Sequence, residues 1–500
     1  MLIATVDKFA QMPWNGDVQA LFGFVDRECD RCGFLTPATE HVTAHRSSGK
    51  KTGSSAVRES ERLAPPDLII QDELHLISGP LGTLVGLYET AVDFLASRRE
   101  RGRLVGPKVV ASTATVRRAF EQVQAVFQRN LRVFPPPGLE PEDSFFANEQ
   151  VVSDSAPGRI YVGVSAPGKS LKTAYVRAAA SLLSSAGGLR ENPLLAEPYM
   201  TLVSYFNSLR ELGGAIRLMD DDIPARLEQL RSAGLPRRQR PVYVELTSRI
   251  RQEDIPLLLR RLERRHDAPR SEDDPLPLDA VLASNMISVG VDIDRLGLMT
   301  VTGQPKTTAE YIQATSRVGR QVWGPGLVVT IYNWSRPRDL SHYERFRHYH
   351  ATLYRNVEAV SATPFSSRAL DRGLRGTYVA MTRLGSDDWS PEDGASRFAP
   401  QNPRVADVTE AFRRRADAVA DASTAASLVQ ALSGLGDQWW GFRQNRIRYG
   451  WRSPDPNRIP AEDVLLRVPE GGRIGHWPAP QSLREVEELS LVRILGIDGT

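Results

Sequence analysis

Pro66-Asp67-Leu68-Ile69-Ile70-Gln71-Asp72-Glu73-Leu74-His75 sets four mostly apolar residues directly before two carboxylates. Such a run is too short for a buried helix and reads as a strand. Its abrupt polar end restricts it further, to a parallel α/β sheet in which ligands bind beyond the carboxyl ends of the strands. Other short apolar runs share the pattern. Residues 1–134 give strands at Leu2–Thr5, Leu68–Gln71, Val109–Ser112 and Leu131–Phe134, interleaved with helical stretches. A second series follows at Ile160–Val164, Tyr199–Phe206, Val242–Thr247, Asp279–Ala283, Leu298–Thr302 and Leu327–Tyr332. Strands alternating with helices define parallel α/β domains.

Five hundred residues are too many for one core, so two or three domains are expected. Pro135-Pro136-Pro137-Gly138 and the acidic residues after it mark a linker. The expected boundaries are a first α/β domain over 1–134 with an insert at 29–61, a linker over 135–155, and a second α/β domain over 156–335. A mostly helical C-terminal extension follows over 336–500, with one clear helix around Val408–Leu435. No run of 18 or more apolar residues occurs, so no membrane span is expected. Two cysteines in the whole chain fit a reducing, cytoplasmic setting. The net charge of +3 is too small to argue for a nucleic-acid partner by itself.

The second domain carries Glu310-Tyr311-Ile312-Gln313-Ala314-Thr315-Ser316-Arg317-Val318-Gly319-Arg320, with two arginines expected within one turn of a short helix. The planar guanidinium reads phosphate oxygens in a bidentate way and never deprotonates. Asn285–Asp294 joins a glycine turn, Gly290, to an acid, Asp292, just after a strand. Glycine there lets a loop approach phosphate or ribose closely. A strand-end acid pair with distant arginines is the equipment of a nucleoside-triphosphate motor. In that reading Asp72 holds Mg²⁺, Glu73 orients the attacking water, and Arg317 and Arg320 neutralise charge on the transferring phosphoryl group.

The ordered set resembles the superfamily 2 helicases of the DEAD/DEAH type. Thr5-Val6-Asp7-Lys8-Phe9 resembles their strand-contacting motif, and Asp72-Glu73-Leu74-His75 their Walker B motif. Ser112-Thr113-Ala114-Thr115 resembles the coupling motif, and Tyr205-Phe206-Asn207-Ser208-Leu209-Arg210 the opening of the second domain. Residues 285–294 resemble motif V, and 313–320 the arginine-finger motif VI, with Ala314 where an arginine is usual. The resemblance implies two RecA-like parallel-sheet domains, the first N-terminally truncated, with ATP and Mg²⁺ as ligands. It assigns Asp72, Glu73, His75, Gln313, Arg317 and Arg320 to catalysis. Ser112, Thr113, Ala114, Gly290 and Asp292 fall to nucleotide binding and coupling. Thr5, Lys8, Asn207, Ser208 and Arg210 fall to nucleic-acid contact. The stretches YFNSLRELG, VELTSR, SVGVDIDRLGLM and DLSHYERFRHYH resemble the helicase subunits of the DISARM anti-phage systems. That implies DNA as the favoured nucleic acid, a partner subunit and a role in defence.

The phosphate-cradling loop that should precede the acid pair is not found before it. Gly163-Val164-Ser165-Ala166-Pro167-Gly168-Lys169-Ser170 matches G-x-x-x-x-G-K-S literally. It follows the acid pair by about ninety residues and begins inside an apolar run, so it reads as a decoy; contact of Lys169 with nucleic-acid phosphate is the role left to it. The functional expectation is an ATP-dependent translocase subunit whose phosphate loop lies outside this sequence. The alternative is a catalytically incomplete nucleic-acid-binding or scaffold subunit that docks a partner. Cys29, Cys32, His41 and His45 form C-x₂-C-x₈-H-x₃-H, a donor set for tetrahedral zinc, although two thiols beside unrelated histidines give the same spacing.

Overall fold

The computed structural model describes the chain apart from residues 1–3, 42–43, 48–49, 114–117, 137–144, 147–149, 190–191, 237, 248–249, 251–252, 270–273, 285–292, 322–323, 359–360, 445–448, 453–458, 460–462, 470–475 and 484–500. Two units make up the fold, one formed by Met1–Arg132 with Ala359–Thr500, the other by Val133–Glu358.

The first unit opens on a 3₁₀ turn, Val6–Gln11, where a strand over Leu2–Thr5 was expected; Thr5 is extended and caps that turn, and residues 1–3 lie outside the described part. β1 (Arg27–Cys29), β2 (Gly33–Leu35) and β3 (Val57–Glu59) form an antiparallel sheet in the order β2-β1-β3. β4 (Leu68–Gln71) leads through α1 (Gly79–Ala96) to β5 (Lys108–Ala111), which pairs with β4 in parallel. α2 (Ala119–Phe127) follows. The strand expected at Leu131–Phe134 does not form. Val133 and Phe134 are exposed and have no sheet neighbour to pair with.

The second unit is a six-stranded, wholly parallel sheet built from β6 (Ile160–Ser165), β7 (Leu202–Phe206), β8 (Tyr243–Leu246), β9 (Ala280–Ala283), β10 (Leu298–Thr302) and β11 (Leu327–Tyr332). Their order is β6-β11-β10-β7-β9-β8. Alternate residues feed two cores. Leu202, Phe206, Leu282 and Ile331 pack on one face, beneath α3 (Leu171–Gly188) and α4 (Leu209–Arg217). Val203, Tyr205, Val281, Met299 and Val328 pack on the other, with Tyr311 and Ala314 of α5 (Thr308–Thr315). Strands covered on both faces are largely apolar, which is why these runs were visible as strands. This is the RecA-like arrangement that the motifs implied.

The chain then returns to the first unit through α6 (Ser367–Leu384), α7 (Pro403–Val419) and α8 (Ala422–Gln444). The helix expected around Val408–Leu435 is therefore two. α7 stops at Val419, and Asp421 accepts the amide of Thr424 at 2.7 Å to start the next helix. α1 is buried almost all round because α6 lies against it. A Cβ on Gly376 would meet Tyr88 Oη at 2.4 Å, so only glycine allows this approach. Leu84, Leu87, Tyr88, Val126, Tyr378, Met381, Phe398 and Trp439 belong to one core. The expected extension thus divides: residues up to Glu358 belong to the second unit, and those from Ala359 belong to the first. Among the described residues, no helix is long and apolar enough to cross a membrane.

Glu89 lies inside that core, and burial pushes its carboxyl up to about 7 against the pull of Arg415. The folded state therefore holds a proton that the unfolded chain releases near pH 4.5. Stability contributed by the neutral form is full below about pH 4.5, falls as pH rises toward about 7, and stays flat above it. Glu89→Gln should stabilise the first unit by about 3 kcal/mol at pH 8 and by almost nothing at pH 4. Denaturant melts of wild type and variant at the two pH values measure this.

Candidate nucleotide and nucleic-acid sites

In the first unit the acid pair leaves the carboxyl end of β4, as the sequence implies. The β4–β5 ladder runs past both strand ends: Ser112 N donates to Gln71 O at 3.0 Å, and Leu74 N donates to Ser112 O at 2.9 Å. That register sets Ser112 beside Asp72, where its hydroxyl donates to Asp72 Oδ1. Glu73 takes a left-handed conformation, φ 53°, and its amide donates to Asp72 Oδ1 at 2.9 Å. His75 is buried, with Nδ1 3.5 Å from Glu73 Oε2 and 3.4 Å from Thr113 Oγ1. Burial lowers the His75 pKa from its ordinary value, opposed first by Glu73 and then by Asp72.

Asp72, Glu73, His75, Ser112 and Thr113 therefore come together; Ala114 lies outside the described residues. Gln122 was not foreseen. It is fully buried and donates through Nε2 to Leu74 O at 3.0 Å and Ile77 O at 2.7 Å, fixing the backbone behind the acids. A glutamine on the apolar face of α2 was the available signal. Asp72 remains exposed and Glu73 partly so, and carboxylate oxygens are the hard donors that suit Mg²⁺. Thr5 and Lys8 sit on the opening 3₁₀ turn, where Lys8 N donates to Thr5 O at 2.9 Å.

In the second unit a polar row runs along the carboxyl ends of β6, β11, β10 and β7, four adjacent strands. Asn207 Nδ2, after β7, donates to Thr302 O at 3.0 Å and Gly303 O at 3.2 Å, after β10. The chain leaves β7 toward β8 and β10 toward β11, in opposite directions across the sheet. That makes the Asn207–Gly303 junction the topological switch point, where open α/β sheets bind ligands. Ser208 caps α4 by accepting the amide of Glu211 at 3.2 Å, and Arg210 is exposed on its first turn. Asp339, buried, accepts Asn333 N at 2.8 Å and Gln304 N at 3.3 Å, tying the β10 and β11 loops. Its role was not read from the sequence.

Lys169 joins the same row: its carbonyl accepts Trp334 Nε1 at 2.9 Å. The G-x-x-x-x-G-K-S match spans the end of β6 and the start of α3, with Gly168 at φ +73° and Ser170 capping the helix. Gly163 is inside β6, an edge strand, where a Cβ would meet the Phe346 ring at 2.8 Å. The helix Phe346–Ala351 packs onto the sheet here, with His350 Nε2 3.0 Å from Tyr311 Oη.

Arg317 and Arg320 are not on a helix. α5 ends at Thr315, and Ser316 caps it. Gly319, at φ +70°, approaches Gly326 so closely that a Cβ would lie 2.1 Å from its amide nitrogen. Gly319 N donates to Leu296 O at 2.7 Å, and Arg159 Nε donates to Val318 O at 3.0 Å. This turn ends the helix early and carries both arginines on a braced loop. Arg320 is exposed and donates through Nε to Ser316 O at 3.4 Å; Arg317 is half-buried. Gln313 stays on α5, whose start is held by Glu358 accepting Thr308 N at 2.8 Å. On the inner side Tyr205 Oη donates to Glu310 Oε1 at 2.5 Å, and burial followed by that carboxylate holds the phenol pKa far above its ordinary value. Gly290 and Asp292 lie outside the described residues. Cys29, Cys32 and His41 converge in the insert, with donor atoms all within 4.8 Å of one another. His45 lies on the strand Ala44–Ser47, and its side chain is outside what is described.

The six-stranded parallel sheet and the ordered motifs are similar to those of the superfamily 2 helicases. No family model matches the chain. It is similar to the DISARM protein DrmA of Bacillus paralicheniformis, 42% identical over 504 aligned positions that take in 99% of this chain. The chain spans 43% of that protein's length. Among solved structures it is similar to the DUF1998 helicase MrfA bound to DNA and AMPPNP, at TM-score 0.42 and 15% identity, covering 63% of this chain and 37% of that one. It is also similar to the Mycobacterium smegmatis helicase Lhr bound to single-stranded DNA and AMP-PNP, at TM-score 0.40 and 14% identity, covering 64% of this chain and 36% of that one.

Proposed function

We propose that this chain is the motor portion of an ATP-dependent DNA translocase or helicase subunit acting in anti-phage defence with a partner subunit. The observation that supports this most is the junction of Asp72 with Ser112 and of His75 with Thr113. A structural turn does not require an acid pair wired to the hydroxyls of the next strand; a phosphate-state sensor does. The relationship to the DISARM protein DrmA supports the defence setting and the partner.

Asp72 would hold the Mg²⁺ of bound ATP, and the ion neutralises charge as the γ-phosphoryl leaves. Glu73 would orient and deprotonate the attacking water. Arg317 and Arg320 would stabilise the transition-state charge, with Gln313 beside them. Ser112 and Thr113 would carry the change at the acids along β5, and the loops at Gly290 and Asp292 would contact the nucleotide. In the second unit Lys169, after β6, and Asn207, Ser208 and Arg210, after β7, would hold the DNA backbone; Thr5 and Lys8 would do so in the first unit.

The gene product containing residues 1–500 should hydrolyse ATP in a DNA-stimulated manner. Glu73→Gln should cut that rate by about 10²–10⁴-fold while leaving binding of DNA and nucleotide in place. A folded protein that binds DNA and never hydrolyses ATP would instead be the scaffold that the alternative describes.

A further inference from the structure

We propose that Cys29, Cys32, His41 and His45 hold one zinc ion that staples the insert of the first unit. Cys29 ends β1 and pairs with Gly33 at the start of β2, so Asp30-Arg31-Cys32 is the tight turn between two antiparallel strands. Gly33 takes φ +78° with open space around its Cβ position, so the requirement there is conformational. That left-handed residue turns the chain so that the Cys32 thiol comes back beside Cys29. Arg31 N lies 3.5 Å from Cys29 Sγ, in position to donate to a thiolate. His41 completes a group of three whose donor atoms lie within 4.8 Å of one another. Four ligands about zinc at roughly 2.0–2.3 Å sit some 3–4 Å apart, so small rotations close the set.

The chemistry selects the ion. Two thiolates and imidazoles suit zinc and reject Mg²⁺ and Ca²⁺. Neither cysteine is in a disulfide; Cys29 is buried and Cys32 exposed. Among the described residues no other such group of three converges. His45 is assigned as the fourth ligand on its spacing from His41. It lies on the strand Ala44–Ser47, which pairs with Lys50–Ser54 in a hairpin that sets Ser47 opposite Lys50. The ion would therefore tie the β1–β2 turn to the base of a hairpin whose sequence carries Arg46, Lys50 and Lys51.

The test uses the full chain, reconstituted with zinc and desalted, with metal measured by mass spectrometry and the site read by cobalt substitution. Wild type should hold roughly one zinc per chain and give the thiolate-to-cobalt absorption of a tetrahedral site. Cys32→Ser, His41→Ala and His45→Ala should each lower occupancy about tenfold or more. Cys32 is exposed, so the serine variant keeps the fold, and circular dichroism checks this. A folded wild type that takes up no zinc overturns the proposal, as does a Cys32→Ser chain with undiminished metal. Undiminished metal in His45→Ala alone overturns the four-ligand set.

Discussion

Arg320→Ala should lower DNA-stimulated ATP hydrolysis by about 10³–10⁵-fold, the loss expected when a charge-stabilising arginine is removed from phosphoryl transfer. The same change should leave the stability of the second unit within about 0.5 kcal/mol. Both halves follow from position. Arg320 is exposed beyond the end of α5, on a turn braced by the Gly319 amide and the Val318 carbonyl. Arg320→Lys should not restore the rate, because an ammonium cannot reproduce the bidentate fork. Steady-state hydrolysis beside thermal melts separates the two effects. A loss smaller than tenfold would remove Arg320 from the phosphoryl site.

Deleting residues 359–500 should unfold the first unit and spare the second. α1 buries Leu84, Val85, Leu87, Tyr88, Val92 and Leu95, and the same core takes Tyr378, Met381, Phe398, Phe412, Leu428, Leu432 and Trp439 from the deleted segment. Each large side chain left without its packing costs about 2–5 kcal/mol, and a whole domain has only about 5–15 kcal/mol to lose. Arg383 is lost as well. It is fully buried and donates to Pro13 O at 3.1 Å and Ser390 O at 3.0 Å, holding the N-terminal segment to the last helices. Hydrogen exchange on residues 1–358 should show β6–β11 protected and α1 exchanging freely. Full protection of α1 would contradict this core.

What was legible in the sequence was local, and what was missed was set by distant residues. β4 and the acids after it were visible because a short apolar run and its polar end occupy adjacent positions. β7, β9 and β10 were visible because strands covered on both faces are mostly apolar, whichever face a residue points to. The end of α5 was not visible. It depends on Gly319 meeting Gly326 and on Leu296 accepting the Gly319 amide, contacts that no helical periodicity records. The C-terminal helices looked like an appendage because their partner, α1, lies about 290 residues earlier in the chain. Asp421 was a different kind of miss: a local cap signal, Asp-Ala-Ser-Thr, stood in plain sight between α7 and α8. At the site, the pairing of Asp72 with Ser112 comes from strand register, whereas Gln122 and Asp339 act by tying loops together and leave no motif.

ATP hydrolysis by the gene product containing residues 1–500, with and without DNA, is the most direct test of the motor assignment when wild type is run beside Glu73→Gln and Lys169→Ala. The expected result is DNA-stimulated hydrolysis that Glu73→Gln abolishes and that Lys169→Ala retains at saturating DNA, with more DNA needed to reach it. Hydrolysis lost in Lys169→Ala at every DNA concentration and kept in Glu73→Gln would contradict the assignment, and would make Gly163–Ser170 the phosphate loop.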